Sequence, residues 1–220
     1  MKINDSILVL YSEIWQEDYD ELMKNFLPNF SIEFQERIYK HRRSEDRLLI
    51  LTGRKLLRKG LQLLNVNADI FKLQYNTWGM PFFKGNSIKF NISHSHKVAI
   101  CALTMQGEIG IDIEHWEDIT VDNFRNVFSE SEWNMIQDSP DMRAAFYRYW
   151  TQKEAVLKAH GEGFNIPINS VKLHDNTARV CYKVYHLTEI KICPAYSCHI
   201  AATSGASVSL YRNQKENADI

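Results

Sequence analysis

The sequence predicts an α+β fold of two similar fused halves, each a small antiparallel sheet packed against a long helix. The first observation is the order of elements: a strand, helices and three strands precede a strand, one long helix and several short strands. The second is a turn signal at Gln106 and Gly107. We therefore expect an N-terminal half over residues 1–106 and a C-terminal half over residues 107–220.

The composition is that of an ordinary soluble globular protein. The 220 residues are 45% hydrophobic and 24% charged, which is enough to bury a core. A formal net charge of -1 argues against general nucleic-acid binding. The four cysteines lack C-x-x-C spacing, so free core cysteines are favoured over a zinc site at Cys193, Cys198 and His199. With no signal-peptide pattern and no membrane-spanning apolar run, we expect a cytoplasmic protein without a membrane partner.

A basic helical region follows the first predicted strand, at residues 7–10. Helical spacing covers residues 13–30, resumes at Ser31, and restarts with a cap at Ser44 in a helix that runs to about Asn65. This region can be a solvated face or a phosphate-binding wall, and both interpretations stay open. Its cations are Arg37, Lys40, Arg42, Arg43, Arg47, Arg54, Lys55, Arg58 and Lys59.

Three strands are predicted next, at residues 71–75, 88–92 and 98–104. A polar turn, Ser93-His94-Ser95-His96, joins the last two strands. Hydroxyl and imidazole groups hydrogen-bond phosphate oxygens, so an exposed role for His94 is favoured over a structural one.

The strand at residues 109–114 has one apolar and one acidic face, because side chains alternate along a strand. The acidic face carries Gly110, Asp112 and Glu114. Neighbouring carboxylates repel each other, and a divalent cation between their oxygens removes that cost. Mg²⁺ suits such a site because it combines a few carboxylates with water and substrate phosphate. The alternative is an edge strand with a wet, acidic face.

The last long helix is expected to open at Ser139 and Pro140 and to end at Gly161. On it, Trp150, Glu154 and Lys158 are four residues apart and therefore share one stripe. A solvated ion pair between Glu154 and Lys158 is the alternative interpretation. The glycine-rich segment after the helix, residues 161–164, favours a ligand site because it lets a ligand approach closely.

Short strands are expected at residues 168–174, 179–185, 188–193, 196–203 and 208–211, with a frayed tail from Asn213. Before the last helix, an apolar group within residues 121–136 is either core or a surface for a protein partner. Its members are Phe124, Val127, Phe128, Trp133 and Met135.

Three motifs in this order resemble the Sfp-type branch of the 4′-phosphopantetheinyl transferase superfamily, the holo-carrier-protein synthases. The pair G-x-D-x-E and W-x-x-K-E-[AS]-x-x-K-x-x-G is specific at this separation, and residues 36–53 also fit the family's N-terminal pattern. The motifs are Phe90-Asn91-Ile92-Ser93-His94-Ser95, Gly110-Ile111-Asp112-Ile113-Glu114, and Trp150-Thr151-Gln152-Lys153-Glu154-Ala155 with Lys158 and Gly161.

This resemblance implies a pseudo-two-fold fold and transfer of phosphopantetheine from coenzyme A to a serine of an acyl or peptidyl carrier protein, with Mg²⁺ in the cleft and 3′,5′-ADP released. It implies that Asp112, Glu114 and Glu154 bind the metal. Glu154 is then the general base and Lys158 holds the pyrophosphate. Ser93 and His94 contact phosphate, and Arg37 grips the 3′-phosphate. One departure is Met80, where the family often has lysine.

Two other classes of function compete with this hypothesis. One is a non-catalytic module of the same fold that binds a carrier protein or nucleotide, but the intact acidic and lysine set argues against it. The other is a nucleic-acid-binding protein, which the near-neutral charge disfavours. Two fused halves complete a cleft within one chain, so a monomer is expected.

Overall fold

A computed structural model describes residues 6–213 of the chain. It confirms the α+β prediction, with a long helix on each of two sheets. The strands are β1 (Ser6–Glu13), β2 (Gln74–Tyr75), β3 (Pro81–Phe82), β4 (Lys89–Ser95), β5 (Val98–Thr104), β6 (Ile109–His115), β7 (Lys172–His174), β8 (Thr177–Val180), β9 (Lys183–Glu189), β10 (Tyr196–Ala202) and β11 (Ser207–Arg212). The helices are α1 (Tyr19–Glu21), α2 (Ile32–Lys40), α3 (Ser44–Leu63), α4 (Glu130–Gln137) and α5 (Met142–His160).

The first sheet has the strand order β11-β1-β5-β4, and α3 packs on its outer face. Neighbours pair antiparallel except β1 and β11, which run parallel from the pair Ser6–Ser207 to the pair Tyr11–Arg212. The last strand of the chain therefore belongs to the sheet of the first strand. The sequence pattern instead predicts this strand beside the other C-terminal strands. Hydrophobic alternation marks a strand but does not identify its partner.

The second sheet has the order β6-β10-β9-β8-β7, all antiparallel, and α5 covers one face. Its other face packs on the first sheet, giving four layers in the order α3, sheet, sheet, α5. The apolar side of β6 enters the core between the sheets, as predicted. Ile111 and Ile113 are fully buried there beside Ile100 of β5.

Edge strands β4 and β6 meet along a seam made by polar side chains of β4. Asn91 Oδ1 accepts from Ile111 N at 3.0 Å, and Ser95 Oγ accepts from His115 N at 3.0 Å. Ser93 Oγ accepts from the backbone N–H of Ile113 at 3.4 Å. Side chains thus replace the backbone ladder between the sheets and satisfy buried amides that would otherwise be costly.

Several local predictions differ from the structure. The strand expected at 71–75 shrinks to β2 after a 3₁₀ turn at Ile70–Lys72, because the Asp69 side chain accepts from Phe71 N and starts that turn. The strand expected at 179–185 is interrupted because Cys181 takes a left-handed conformation (φ 52°). The polar turn begins later than expected, since β4 extends to Ser95 and the reversal falls at His96 (φ 52°).

Helix starts also differ from expectation. The last helix begins at Met142, and Asp141 is its N-cap, with the side chain accepting from Ala144 N at 2.9 Å. An aspartate cap therefore replaces the predicted Ser139 and Pro140 start. The cap expected at Ser44 is absent, because Arg43 precedes the first turn without a side-chain cap. The Gly161 stop is confirmed: its φ of 83° is the left-handed conformation that glycine adopts easily.

Most of the apolar group at residues 121–136 is core. Phe128 and Trp133 are buried and pack on α5, whereas Met135 is 60% exposed. All four cysteines are free, as predicted, but the expected core position holds only for Cys101 and Cys198, because Cys181 is exposed and Cys193 is only partly buried. Within residues 6–213, no helix is both long and apolar enough to cross a bilayer. The predicted frayed tail lies largely outside the described residues.

Candidate active site at the seam between the sheets

The acidic face of β6 lies against α5 because Gly110 permits an unusually close approach. A Cβ atom at position 110 would collide with the backbone carbonyl of Ala155 and the backbone N–H of Ala159. The absence of a side chain at this position lets the strand and helix pack backbone to backbone. Asp112, two residues further on, is thereby brought beside Lys158 on α5.

The centre of the candidate site is a three-way contact. Lys158 Nζ lies 2.6 Å from Asp112 Oδ1 and donates to Ser93 Oγ at 2.9 Å. Ser93 Oγ in turn donates to Asp112 Oδ1 at 3.1 Å. The structure therefore joins one residue from β4, one from β6 and one from α5 at the seam.

The second oxygen of the aspartate, Asp112 Oδ2, is buried and has no hydrogen-bond partner among the described residues. Burial raises the pKa of Asp112, although Lys158 and Ser93 favour its ionised form. Burial opposes the charge on Lys158, but the effects of Asp112, Glu154 and Glu114 together outweigh it, so the pKa of Lys158 is raised. An unpartnered carboxylate oxygen in such a position is costly unless a cation or donor binds it.

Two further carboxylates face this centre. Burial, and then the charge of Asp112, raises the pKa of Glu114 to about 7. Ser95 Oγ donates to Glu114 Oε2 at 2.8 Å. Burial and Asp112 also raise the pKa of Glu154, with Lys158 acting in the opposite direction. The charge of Asp112 therefore opposes ionisation of both glutamates, which is the pattern of a site that gains from an added cation.

The chemistry of Asp112, Glu114 and Glu154 fits a divalent cation, although the three carboxylates do not form a preformed coordination site. Among residues 6–213, no three His, Cys, Asp or Glu side chains are arranged closely enough to hold an ion. Lys158 already neutralises one oxygen of Asp112, and the carboxylates repel one another. The unpartnered Asp112 Oδ2, with Glu114 and Glu154 in electrostatic range, supplies the hard oxygen donors that Mg²⁺ prefers.

A cavity of about 250 Å³ opens beside this centre, and both Glu154 and Lys158 line it. The opposite wall is the β2–β3 hairpin, including Trp78 and Met80. A larger cavity of about 390 Å³ lies along α3 near Ser12 and contains no residue of the centre. The smaller cavity is therefore the relevant one.

The hairpin wall is tied to the end of α5 by Asn76. Its Nδ2 donates to Gly161 O at 3.1 Å, and its Oδ1 accepts from the backbone N–H groups of Trp78 and Met80 at 2.9 Å each. The hairpin thus has a fixed position relative to the helix that carries Lys158.

Two predicted site residues lie away from the three-way contact. His94 is exposed on the α3-facing side of β4. Arg37, on α2, donates from Nη2 to the Tyr75 hydroxyl at 3.0 Å. Trp150 packs against Phe124 at a ring-centroid distance of 5.6 Å and so belongs to the apolar cluster.

The sequence motifs include Asn91 and Ser95 but assign them no contact of their own, and they do not include Tyr75. The first two repeat at every second residue with Ser93, so their shared strand face was readable from the sequence. No local sequence pattern indicates a role for Tyr75, because its hydrogen-bond partners, Arg37 and Arg54, lie on the distant helices α2 and α3. Lys153 of the third motif is also informative: it is buried and pairs with Glu132 at 3.0 Å, away from the cleft.

Several known proteins are similar to this chain in sequence. The model of the 4′-phosphopantetheinyl transferase superfamily matches residues 108–210. The chain is 35% identical over 171 residues to 4′-phosphopantetheinyl transferase gsp of Aneurinibacillus migulanus, covering 76% of this chain and 71% of that protein. It is 30% identical over 160 residues to 4′-phosphopantetheinyl transferase Sfp of Bacillus subtilis strain 168, covering 70% of each chain. The solved holo-[acyl-carrier-protein] synthase of Thermotoga maritima aligns with a TM-score of 0.34 and 18% identity over 43% of this chain and 61% of that chain.

These similarities first define the class: the chain is a group-transferring enzyme. It belongs to the 4′-phosphopantetheinyl transferase superfamily.

Proposed function

We propose that this enzyme transfers the 4′-phosphopantetheine group of coenzyme A to a serine of an apo acyl or peptidyl carrier protein, in an Mg²⁺-dependent reaction that releases 3′,5′-ADP. The observation that carries the proposal is the contact among Asp112, Ser93 and Lys158, with an unpartnered Asp112 Oδ2 and with Glu114 and Glu154 within electrostatic range of Asp112. An anionic pyrophosphate substrate requires this combination of a cation site and a lysine.

Asp112, Glu114 and Glu154 are proposed to hold Mg²⁺. When bound, the ion neutralises negative charge on the pyrophosphate oxygens and fixes their position. Burial raises the pKa values of Asp112, Glu114 and Glu154, and a cation held by them would favour their ionised forms.

Glu154 is proposed as the general base. A serine hydroxyl is a weak nucleophile and needs a proton acceptor within hydrogen-bond reach. Glu154 is half-buried and lines the cavity, so it has access to an incoming serine. Burial raises its pKa, which increases the basicity of its carboxylate. The proton passes from the serine hydroxyl to Glu154, directly or through one water.

Lys158 is proposed to stabilise the leaving group. The serine oxygen forms a bond to the phosphorus that carries pantetheine, and the bond from that phosphorus to the bridging pyrophosphate oxygen breaks. The electron pair leaves with 3′,5′-ADP, so negative charge grows on its 5′-phosphate. Lys158 Nζ is held by Asp112 and Ser93 and supplies a fixed positive charge there. Ser93 and His94 are proposed to contact phosphate, and Arg37 the 3′-phosphate.

We further propose that the enzyme acts in the cytoplasm as a monomer and binds no nucleic acid. A cleft completed by two sheets of one chain needs no second copy, and the net charge of -1 gives no general attraction to nucleic acid. Exposed Met135 and partly buried Phe124 and Val127 are the candidate contacts for the carrier protein.

Chromatography of the nucleotide products tests the chemistry. With an apo carrier protein, coenzyme A and Mg²⁺, we expect 3′,5′-ADP to form in a one-to-one ratio with the coenzyme A consumed. EDTA is expected to stop its formation, and excess Mg²⁺ to restore it. Consumption of coenzyme A without 3′,5′-ADP, or a rate indifferent to EDTA, would contradict the proposal.

A further inference from the structure

The cavity of about 390 Å³ along α3 has no part in the proposed reaction. It lies between α3 and the segment that follows β1, and its volume is in the range of pockets that hold small ligands. None of its lining residues also lines the cavity beside Glu154 and Lys158. The polar and aromatic residues that shape it are Trp15, Asp18, Thr52, Lys55, Arg58 and Lys59.

One wall of this cavity is a cationic face of α3. Thr52, Lys55 and Lys59 are three or four residues apart and therefore lie along one stripe of the helix. Both lysines are half-buried, and Arg58 adds a third positive charge beside them. Within residues 6–213, none of the three cations forms an ion pair. Their charge therefore remains available to an anion in the cavity.

Thr52 provides a buried polar group on the same wall. It is 9% exposed, and its hydroxyl has no hydrogen-bond partner among the described residues. A threonine within a helix often donates to the carbonyl four residues before it, as Thr151 does to Tyr147 O at 2.8 Å. A buried hydroxyl without a partner is costly. Because Thr52 lines the cavity, a ligand bound there can supply the missing partner.

The opposite wall offers an aromatic ring and a carboxylate. Trp15 is 39% exposed, and Asp18 is half-buried at the end of the 3₁₀ turn Gln16–Asp18. The turn holds the two residues together, because Asp18 N donates to Trp15 O at 3.0 Å. An exposed indole ring stacks on planar bases, and a carboxylate accepts from hydroxyl and amino groups.

We propose that this cavity is a second binding site, which takes a small mononucleotide, that is, a phosphate monoester joined through a sugar to a planar base. Lys55, Lys59 and the Thr52 hydroxyl donate to the phosphate oxygens. The base stacks on Trp15, and Asp18 accepts from the sugar hydroxyls. The inference does not depend on the transfer reaction, because the cavity shares no lining residue with the catalytic cavity.

Calorimetric titration of the full chain with adenosine 5′-monophosphate and with ribose 5-phosphate tests the phosphate end of the site. The double variant Lys55→Met and Lys59→Met is expected to weaken binding of both probes at least about tenfold, because the phosphate loses two charged donors. The matched control, Lys84→Met with Lys191→Met, removes two exposed lysines elsewhere and should leave both affinities unchanged. Equal weakening in the control would indicate general electrostatic attraction and overturn the inference.

Two single variants separate the base from the phosphate. Trp15→Leu is expected to weaken adenosine 5′-monophosphate about tenfold and to leave ribose 5-phosphate unchanged, because only the first probe has a base to stack. Thr52→Val keeps the shape of the side chain and removes the hydroxyl. It should weaken both probes about tenfold, as for a lost hydrogen bond to a charged group. A Trp15→Leu protein that weakens both probes equally, or neither, contradicts the proposed position of the base.

The competing explanation is that the probe binds in the catalytic cleft, because adenosine 5′-monophosphate resembles the leaving nucleotide. Lys158→Met distinguishes the two sites. We expect its affinity at the α3 cavity to match that of the wild-type protein. Binding that is lost in Lys158→Met but retained in the Lys55 and Lys59 double variant overturns the inference, as does a wild-type protein that binds neither probe. Both results leave the transfer reaction to be decided by its own assay.

Discussion

Lys158 and Asp112 form the shortest ion pair of the candidate site, with 2.6 Å between Nζ and Oδ1, and they come from opposite partners in the helix–strand contact. Asp112 is 3% exposed, so its charge depends on Lys158 in the absence of a metal ion. We expect Lys158→Met to lower the transfer rate about 100-fold, because the leaving group loses a fixed positive charge. Steady-state kinetics with an apo carrier protein measure this effect.

The control for that variant is Lys191→Met, which removes an exposed lysine outside both sheets. Its transfer rate should equal that of the wild-type enzyme. A Lys158→Met enzyme of normal rate would show that the lysine has no role in the reaction.

Glu154→Gln tests the general base. The substitution preserves size and removes the proton acceptor, so we expect the transfer rate to fall by about 10²–10⁴ with coenzyme A binding largely retained. Glu21→Gln changes an exposed glutamate of α1 in the same way and should be silent. If coenzyme A binding is lost and the rate at saturation is normal, Glu154 is a binding residue only.

Gly110→Ala tests the backbone contact between β6 and α5. The added methyl group collides with backbone atoms of Ala155 and Ala159, which cannot rotate away as a side chain can. We expect a loss of about 1–3 kcal/mol in the free energy of unfolding, measured by urea denaturation. Gly205→Ala is the matched control, because the nearest atom to its new Cβ is 4.0 Å away. Equal losses in both variants would refute the close-approach explanation.

Lys153→Met tests the buried pair between α5 and α4. Lys153 Nζ lies 3.0 Å from Glu132 and also donates to Val171 O at 2.7 Å, and both ionic side chains are nearly inaccessible. Removing only the lysine leaves a buried carboxylate, so we expect a loss of about 3–5 kcal/mol in the free energy of unfolding. Adding Glu132→Gln should recover most of it, because glutamine can still cap Ser129. No recovery would mean that packing, rather than charge, causes the loss.

His199 is expected to make the free energy of unfolding depend on pH in the acidic range. It is 2% exposed and burial lowers its pKa from 6.5 to about 3, so it is neutral when folded and protonates only after unfolding. The contribution of neutral His199 to the free energy of unfolding is complete above pH 6.5 and is lost as the pH falls towards 3. Between pH 6.5 and about 5 the loss amounts to about 2 kcal/mol. His199→Gln should flatten this part of the stability profile, whereas His186→Gln, an exposed site on β9, should not. Identical profiles for all three proteins would contradict the assignment.

Local features of the site could be predicted from the sequence, but the contacts between distant segments that bring its residues together could not. The alternation of Ile111 and Asp112 predicts correctly which side of β6 is apolar, because strand periodicity is a local property. The pairing of β11 with β1 and the convergence of Arg37 and Arg54 on Tyr75 depend on contacts between distant segments. Local patterns do not specify such partners, so they emerge only from the fold. The metal-binding role of Asp112, Glu114 and Glu154 stays a prediction.

The most direct test of the account is the intact mass of an apo carrier protein after incubation with this enzyme, coenzyme A and Mg²⁺. We predict a gain of one phosphopantetheine group. The gain should be absent with EDTA and with a carrier whose acceptor serine is replaced by alanine, and it should form far more slowly with Glu154→Gln. An unchanged carrier mass across acyl and peptidyl carrier proteins, despite tight binding of coenzyme A, would contradict the central claim and favour a non-catalytic binding module.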